Sequence, residues 1–271
     1  MNNQIVLRLI FFVGIFTLMV IWERMSPRRS MTTSKKVRWI SNLGITFLNP
    51  LVVHLLFPIL AVDMALKAQE GGWGLLNNVV LPFWLKVVIG IIVLDLVIYL
   101  QHVLFHAIPI LWRLHRMHHA DLDFDLTTGL RFHPIEMVLS MVIKLSVVAA
   151  LGPHALAVVT FEIILNGMAM FNHGNIRIPL NFDRQLRYFM VTPDMHRVHH
   201  SVIIRETNSN YGFNLPWWDR LFGTYCAQPA KGHEGMTIGL SQFRESKKLT
   251  LPWLMVLPFI GDPGKQPINL H

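Results

Sequence analysis

A single cysteine in 271 residues, Cys226, excludes an internal disulfide framework and any zinc or iron–sulfur site built on thiolates. Charge is scarce as well. Asp, Glu, Lys and Arg make up 15% of the chain, against about 25% in an ordinary soluble domain. No Gly-x-Gly-x-x-Gly fingerprint for a flavin or nicotinamide nucleotide is present, nor a His-Glu-x-x-His zinc-protease signature. The segment DLDFDLTTGLRF, residues 121–132, opens with aspartates at calcium-loop spacing. It lacks the glycine at the sixth position and the glutamate at the twelfth, which excludes that loop. No Gly/Ser linker or low-complexity tract divides the sequence, so residues 1–271 are expected to form one membrane domain.

What the chain has in abundance is apolar surface: 52% of its residues are hydrophobic, with a mean hydropathy of +0.42. Five stretches come near the length that crosses a bilayer: 5–22, 39–66, 79–100, 135–151 and 155–171. The first lacks a small-residue cleavage site and runs into Trp22-Glu23-Arg24, as a retained anchor does and a signal peptide does not. In so apolar a chain the net charge of +8 marks helix ends rather than a nucleic-acid surface. Arg24, Arg28, Arg29, Lys35, Lys36 and Arg38 place the segment after the first stretch in the cytoplasm, whereas KAQEGGWGLLNN, residues 67–78, has one lysine and belongs on the other side. Gly152-Pro153-His154 turns the last two stretches into an antiparallel hairpin. Lys144 and Glu162 lie nine residues on either side of Pro153, so they should sit at one depth and pair.

Against this background 14 histidines stand out, ten of them in five clusters. These are His102 and His106; His115, His118 and His119; His133; His173; and His196, His199 and His200. Residues at i, i+3 and i+4 share a helix face, so His102 and His106 project together. In each His-x-x-His-His copy the first and last members share a face, while the adjacent pair diverges by about 100°. Such a doublet can reach two ions side by side. One transition metal takes at most about six ligands, so ten imidazoles point to a dinuclear site with the two copies as opposing walls. Storage of metal and pH sensing are the bland alternatives, and neither requires two matched triples. His54, His154, His233 and His271 read as isolated surface or core residues. Asp95, Tyr99, His102 and His106 form one helical stripe. Asp95 is about 10 Å along the axis from His102, so it either orients a ligand from another segment or pairs with Tyr99.

From about residue 95 to 225 the chain resembles the fatty acid hydroxylase superfamily, the membrane histidine-box oxygenases that include sterol desaturases. The resemblance rests on the order His-x3-His, His-x2-His-His, Arg-x-His-Pro, His-x-Asn, His-x2-His-His, then NYGFNLPWWDRLFGT. One departure is Val103, where many members carry arginine after the first histidine. The resemblance implies a non-haem centre of two iron ions that activates O2 and hydroxylates or desaturates a lipid. Zinc is possible in purified protein, because imidazole suits it equally. His102, His106, His115, His118, His119, His173, His196, His199 and His200 are the implied ligands, with His133 a tenth or a supporting group. Asp95 and Tyr99 are the expected supports. The implied partners are a lipid substrate entering laterally from the membrane and a separate electron donor, a ferredoxin or cytochrome b5-like protein; nucleic acid is not one. The basic residues 24–38 could dock an acidic donor but suit membrane orientation better.

The expected fold is thus all-α, an integral membrane bundle of about five membrane-embedded helices. Residues 5–94 supply the N-terminal transmembrane helices and 95–225 the histidine-box region. The metal site is expected on the cytoplasmic face, in a bacterial inner membrane. Trp217 and Trp218 suit either a lipid–water interface or a cap over the metal site. A non-catalytic metal-sensing membrane protein and a zinc-dependent membrane hydrolase remain the alternatives, the latter disfavoured because no carboxylate base sits within the histidine boxes.

Overall fold

Proline and glycine decide where the apolar stretches break. The structure, a computed structural model, describes residues 2–262; His271 lies outside them. Its principal elements are α1 (Asn2–Met25), α2 (Lys35–Leu56), α3 (Ala61–Glu70), α4 (Phe83–Ala107), α5 (Pro109–His119), α6 (Pro134–Leu151), α7 (Ala155–Asn172), α8 (Leu180–Leu186) and α9 (Pro193–His199). Among the described residues there is no β-strand, only the isolated bridges Pro27–Ile176 and Ser201–Ile238.

The stretch expected as one helix over 39–66 is two. Proline disfavours the helical conformation in the residue before it, and Phe57, preceding Pro58, is extended at φ −116°, ψ 108°. Pro82 delays the start of α4 to Phe83, and the helix then runs on to Ala107, so that His102 and His106 fall on its last turns. Gly152 closes α6 in the left-handed conformation (φ 61°, ψ 47°), and the imidazole of His154 caps α7 by accepting from Leu156 N at 3.1 Å. Five segments are long and apolar enough to cross a membrane, the broken pair α2–α3 counting as one, and the protein is a multi-pass membrane protein.

The bundle packs closely through small residues. A side chain added at Gly90 on α4 would meet Ala157 and Pro153 at 3.0 and 3.1 Å. Ala61, Ala65, Leu94, Ile98, Val148, Val158 and Phe161 fill the space between α3, α4, α6 and α7. Lys144 and Glu162 pair at 2.9 Å, as their spacing requires, and Arg8 of α1 adds a second cation to Glu162 at 2.6 Å. α4 and α7 end, and α6 begins, at one end of the bundle. The loop after α3 packs instead on the Gly152 turn at the other end, since a side chain at Gly74 would strike Gly152.

Candidate metal centre

Nine imidazoles converge at that end, all buried, from four places: the last turns of α4, the α5 helix, the residue that ends α7, and α9 with the residue after it. They sort into two groups. His102, His106, His115, His119 and His199 form one; His118, His173, His196 and His200 form the other. Within each, one nitrogen per residue lies within 4.8 Å of the rest. The helical period determines the sorting. In each His-x-x-His-His triple the first and last members enter the same group, and the middle one turns to the other.

Hydrogen bonds on the far side of several rings fix which nitrogen is free. The Nδ1 atoms of His102, His199 and His173 donate to the carbonyls of Tyr211, Ser209 and Ala169 at 2.7, 2.8 and 2.8 Å. That of His115 donates to Glu136 Oε1 at 2.7 Å. These oxygens only accept, so Nδ1 carries the proton, and in a neutral ring Nε2 is a bare lone pair. Yet His102 Nε2 lies 3.1 Å from His115 Nε2, and His173 Nε2 lies 3.1–3.2 Å from the Nε2 atoms of His118, His196 and His200. One lone pair cannot satisfy three nitrogens, and two facing lone pairs repel. His199 Nε2 is buried without a hydrogen-bond partner. A cation resolves all three problems, since a metal about 2.0–2.1 Å from each imidazole brings neighbouring nitrogens to about 3 Å. The residues therefore fit a pair of metal ions. Burial and the surrounding imidazoles hold His118, His119, His196, His199 and His200 well below the ordinary histidine range, and burial takes His173 down to about 3. Their lone pairs are thus available at neutral pH.

The framework behind the rings was only partly visible in the sequence. Glu136, in the first turn of α6, holds His115 and was not anticipated; the signal is a carboxylate opening an otherwise apolar helix three residues after His133. Each histidine triple also carries arginine at its second position, and both arginines are buried. Arg116 donates to the carbonyls of Leu257 and Asp262 at 2.8 and 2.7 Å, and Arg197 pairs with Asp194. The aspartates of 121–125 serve as anchors. Arg38 from α2 bonds Asp121 at 2.6 and 2.8 Å and Asp125 at 2.6 Å, while Asp123 accepts from Thr32 and Thr33. Although burial alone would raise it, Arg38 and Arg131 hold Asp121 down to about 2. Gly129 in this loop packs so tightly on α7 that a side chain there would meet the Ala169 carbonyl and, at 2.9 Å, His173 Nδ1.

The remaining expected site residues lie elsewhere. His133 belongs to neither group: its Nδ1 caps α6 by accepting from Ile135 N at 3.2 Å, and its Nε2 lies 3.3 Å from the Met255 carbonyl. Asp95 accepts from Trp218 Nε1 at 2.8 Å and Leu215 N at 3.3 Å rather than from a histidine. Tyr99 bonds Thr224 at 2.9 Å and stacks on Phe222. Together they fasten the 211–225 segment over α4. Of the tryptophan pair, Trp218 is tied into this segment and Trp217 is exposed.

Two buried polyhistidine groups at the end of a bundle of membrane-length helices could each hold a metal ion. The family model for fatty acid hydroxylase matches residues 87–224, and the chain belongs to that family. It is 30% identical over 149 residues to an ornithine lipid hydroxylase (OlsE) of Rhizobium tropici, covering 55% of this chain and 44% of the relative. It is also 30% identical over 146 residues to the alkylglycerol monooxygenase of Xenopus tropicalis, covering 54% of this chain and 31% of that one. The human alkylglycerol monooxygenase is 27% identical over 169 residues, 60% of this chain and 35% of the relative. The match thus spans less than half the length of these relatives. No solved structure matches the chain significantly.

Proposed function

We propose that the protein is a membrane-bound non-haem di-iron oxygenase that hydroxylates or desaturates a lipid with O2 and electrons from a separate donor. The observation that carries this reading is the sorting of nine buried imidazoles into two groups whose free nitrogens face one another. His102, His106, His115, His119 and His199 would hold one ion, and His118, His173, His196 and His200 the other. Bound there, the iron pair supplies activation of O2 and attack on an unactivated C–H bond. The chain's own residues do the rest. Tyr211, Ser209 and Ala169 carbonyls and Glu136 fix the ring tautomers and orientations. Phe132, stacked 4.6 Å from His118, and Phe124 and Phe213 beside His173 keep water from the walls.

A zinc hydrolase would need a carboxylate base on the Nε2 side of the rings. Glu136 sits behind His115, on Nδ1. Residues 95–225 form the catalytic region and His133 supports it through the α6 cap. The basic 24–38 segment supports a centre on the cytoplasmic face, here of a bacterial inner membrane, within reach of a ferredoxin or cytochrome b5-like donor. The alkyl chain of the substrate reaches the centre laterally between helices. The test is incubation of iron-loaded, reduced protein with membrane lipid extract under labelled O2. Lipid that gains one labelled oxygen or loses two hydrogens, and fails to do so with His118→Ala, supports the reading. Folded, iron-loaded protein that consumes no O2 with any lipid class refutes it.

A further inference from the structure

A cavity of about 460 Å³ lies against the outer wall of the histidine groups, bounded by the 203–209 and 223–230 segments. Its inner wall is one residue thick, for Ser209 lines it while giving its carbonyl to His199 Nδ1 at 2.8 Å. Two charged side chains of opposite sign line the same space. Glu206 is only 5% exposed; its Oε1 accepts from Ala230 N at 2.6 Å, and its Oε2 is buried without a partner. A buried carboxylate oxygen lacking a donor costs free energy comparable to a lost charged hydrogen bond, so this atom is built to receive one. Arg205, the preceding residue, is exposed and makes no hydrogen bond or ion pair among the described residues. The cavity is thus lined by one carboxylate oxygen without a donor and by one solvent-exposed guanidinium.

The surroundings say what brings the complementary charges. Beside Gly223 and Thr224 at the mouth lie Leu221, 70% exposed, and Phe222, 52% exposed, and Phe222 stacks on Tyr99 of α4. Tyr99 belongs to α4, a membrane-spanning helix on which Leu100 and Leu104 are exposed. A polar cavity beside a membrane-spanning helix is within reach of the bilayer interface.

We propose that this cavity seats the zwitterionic headgroup of a membrane lipid, its ammonium on Glu206 Oε2 and its anionic group on Arg205. If the oxygenase reading holds, on which this step rests, the lipid so held is the substrate, and its carbons nearest the headgroup are the ones presented to the histidine centre.

The test is titration of the full chain in nonionic detergent with short-chain phosphatidylethanolamine, short-chain phosphatidylglycerol and free glycerophosphoethanolamine, read by native mass spectrometry. Phosphatidylethanolamine should bind about tenfold tighter than phosphatidylglycerol, and Glu206→Gln and Arg205→Gln should each weaken it by about tenfold. Glu206→Gln should not weaken phosphatidylglycerol binding. Phosphatidylethanolamine binding indifferent to both substitutions overturns the proposal, and so does free glycerophosphoethanolamine binding as tightly as the lipid. If Glu206→Gln fails to fold, Arg205→Gln, at an exposed position, decides alone. Iron content of the same preparations separates the two readings. Iron bound with headgroup binding indifferent to Glu206 removes the cavity proposal only. Headgroup binding through Glu206 in protein unable to take up iron removes the oxygenase only.

Discussion

Replacing Glu136 by leucine tests the centre from behind. Glu136 is buried at the start of α6, and its Oε1 lies 2.7 Å from His115 Nδ1. Leucine removes the acceptor and leaves that N–H either unsatisfied, at about 1–3 kcal/mol, or free to shift its proton to Nε2 and block the ligating lone pair. Loss of such an outer partner weakens metal binding about 10–100-fold, equivalent to ~1.4–2.8 kcal/mol. Only one group should suffer, because His115 sits with His102, His106, His119 and His199, while His118, His173, His196 and His200 are held independently. Glu136→Gln keeps a carbonyl acceptor and should fall between the two. The assay is iron per chain during titration with a chelator of graded strength. Glu136→Leu should release about one iron early and keep the other. Release of both irons together, or a curve matching the wild type, would refute the sorting of the ligands.

Other perturbations follow from the supporting contacts. Arg38→Met leaves Asp121 its second cation Arg131 but strands the buried carboxylate of Asp125 and should cost about 3–5 kcal/mol, seen as a collapse of the melting temperature in detergent; a loss under ~1 kcal/mol would contradict it. Lys144→Met leaves Glu162 its second partner Arg8 and should be tolerated, whereas Lys144→Met with Arg8→Met should abolish accumulation of folded protein in the membrane fraction. Burial lowers the imidazole of His233 to about 4 from 6.5, although Asp194 lies 3.6 Å away. Below pH 6.5 the unfolded chain therefore takes up a proton that the folded chain refuses, and stability falls by up to ~3 kcal/mol as pH drops toward 4. His233→Leu should remove that part of the acid sensitivity, measured as melting temperature at neutral pH and near pH 5.

The membrane helices and the doubled histidine pattern were legible in the sequence because each rests on a local period. Hydrophobic length marks a spanning helix, and spacings of three and four mark a face, which is enough to place His115 with His119 and turn His118 away. The Lys144–Glu162 pair was legible because one turn fixes the register of a hairpin. Residues whose partners come from another segment were not. Asp95 shares a stripe with His102 yet bonds Trp218, more than a hundred positions away in the chain, and Glu136 finds His115 only when α5 folds beside α6. The arginines of the basic 24–38 segment carry an orientation signal by composition, but nothing local shows that Arg38 clamps the loop after the first histidine triple. The break between α2 and α3 was readable at Pro58 and was overridden by the length of the apolar run.

The most direct measurement is the metal content of protein purified without oxygen from iron-replete cells. About two irons per chain are expected, with His118→Ala and His199→Ala each removing about one, because these residues belong to different groups. Well-folded protein that binds no metal, or that keeps both ions in either variant, would contradict the dinuclear centre.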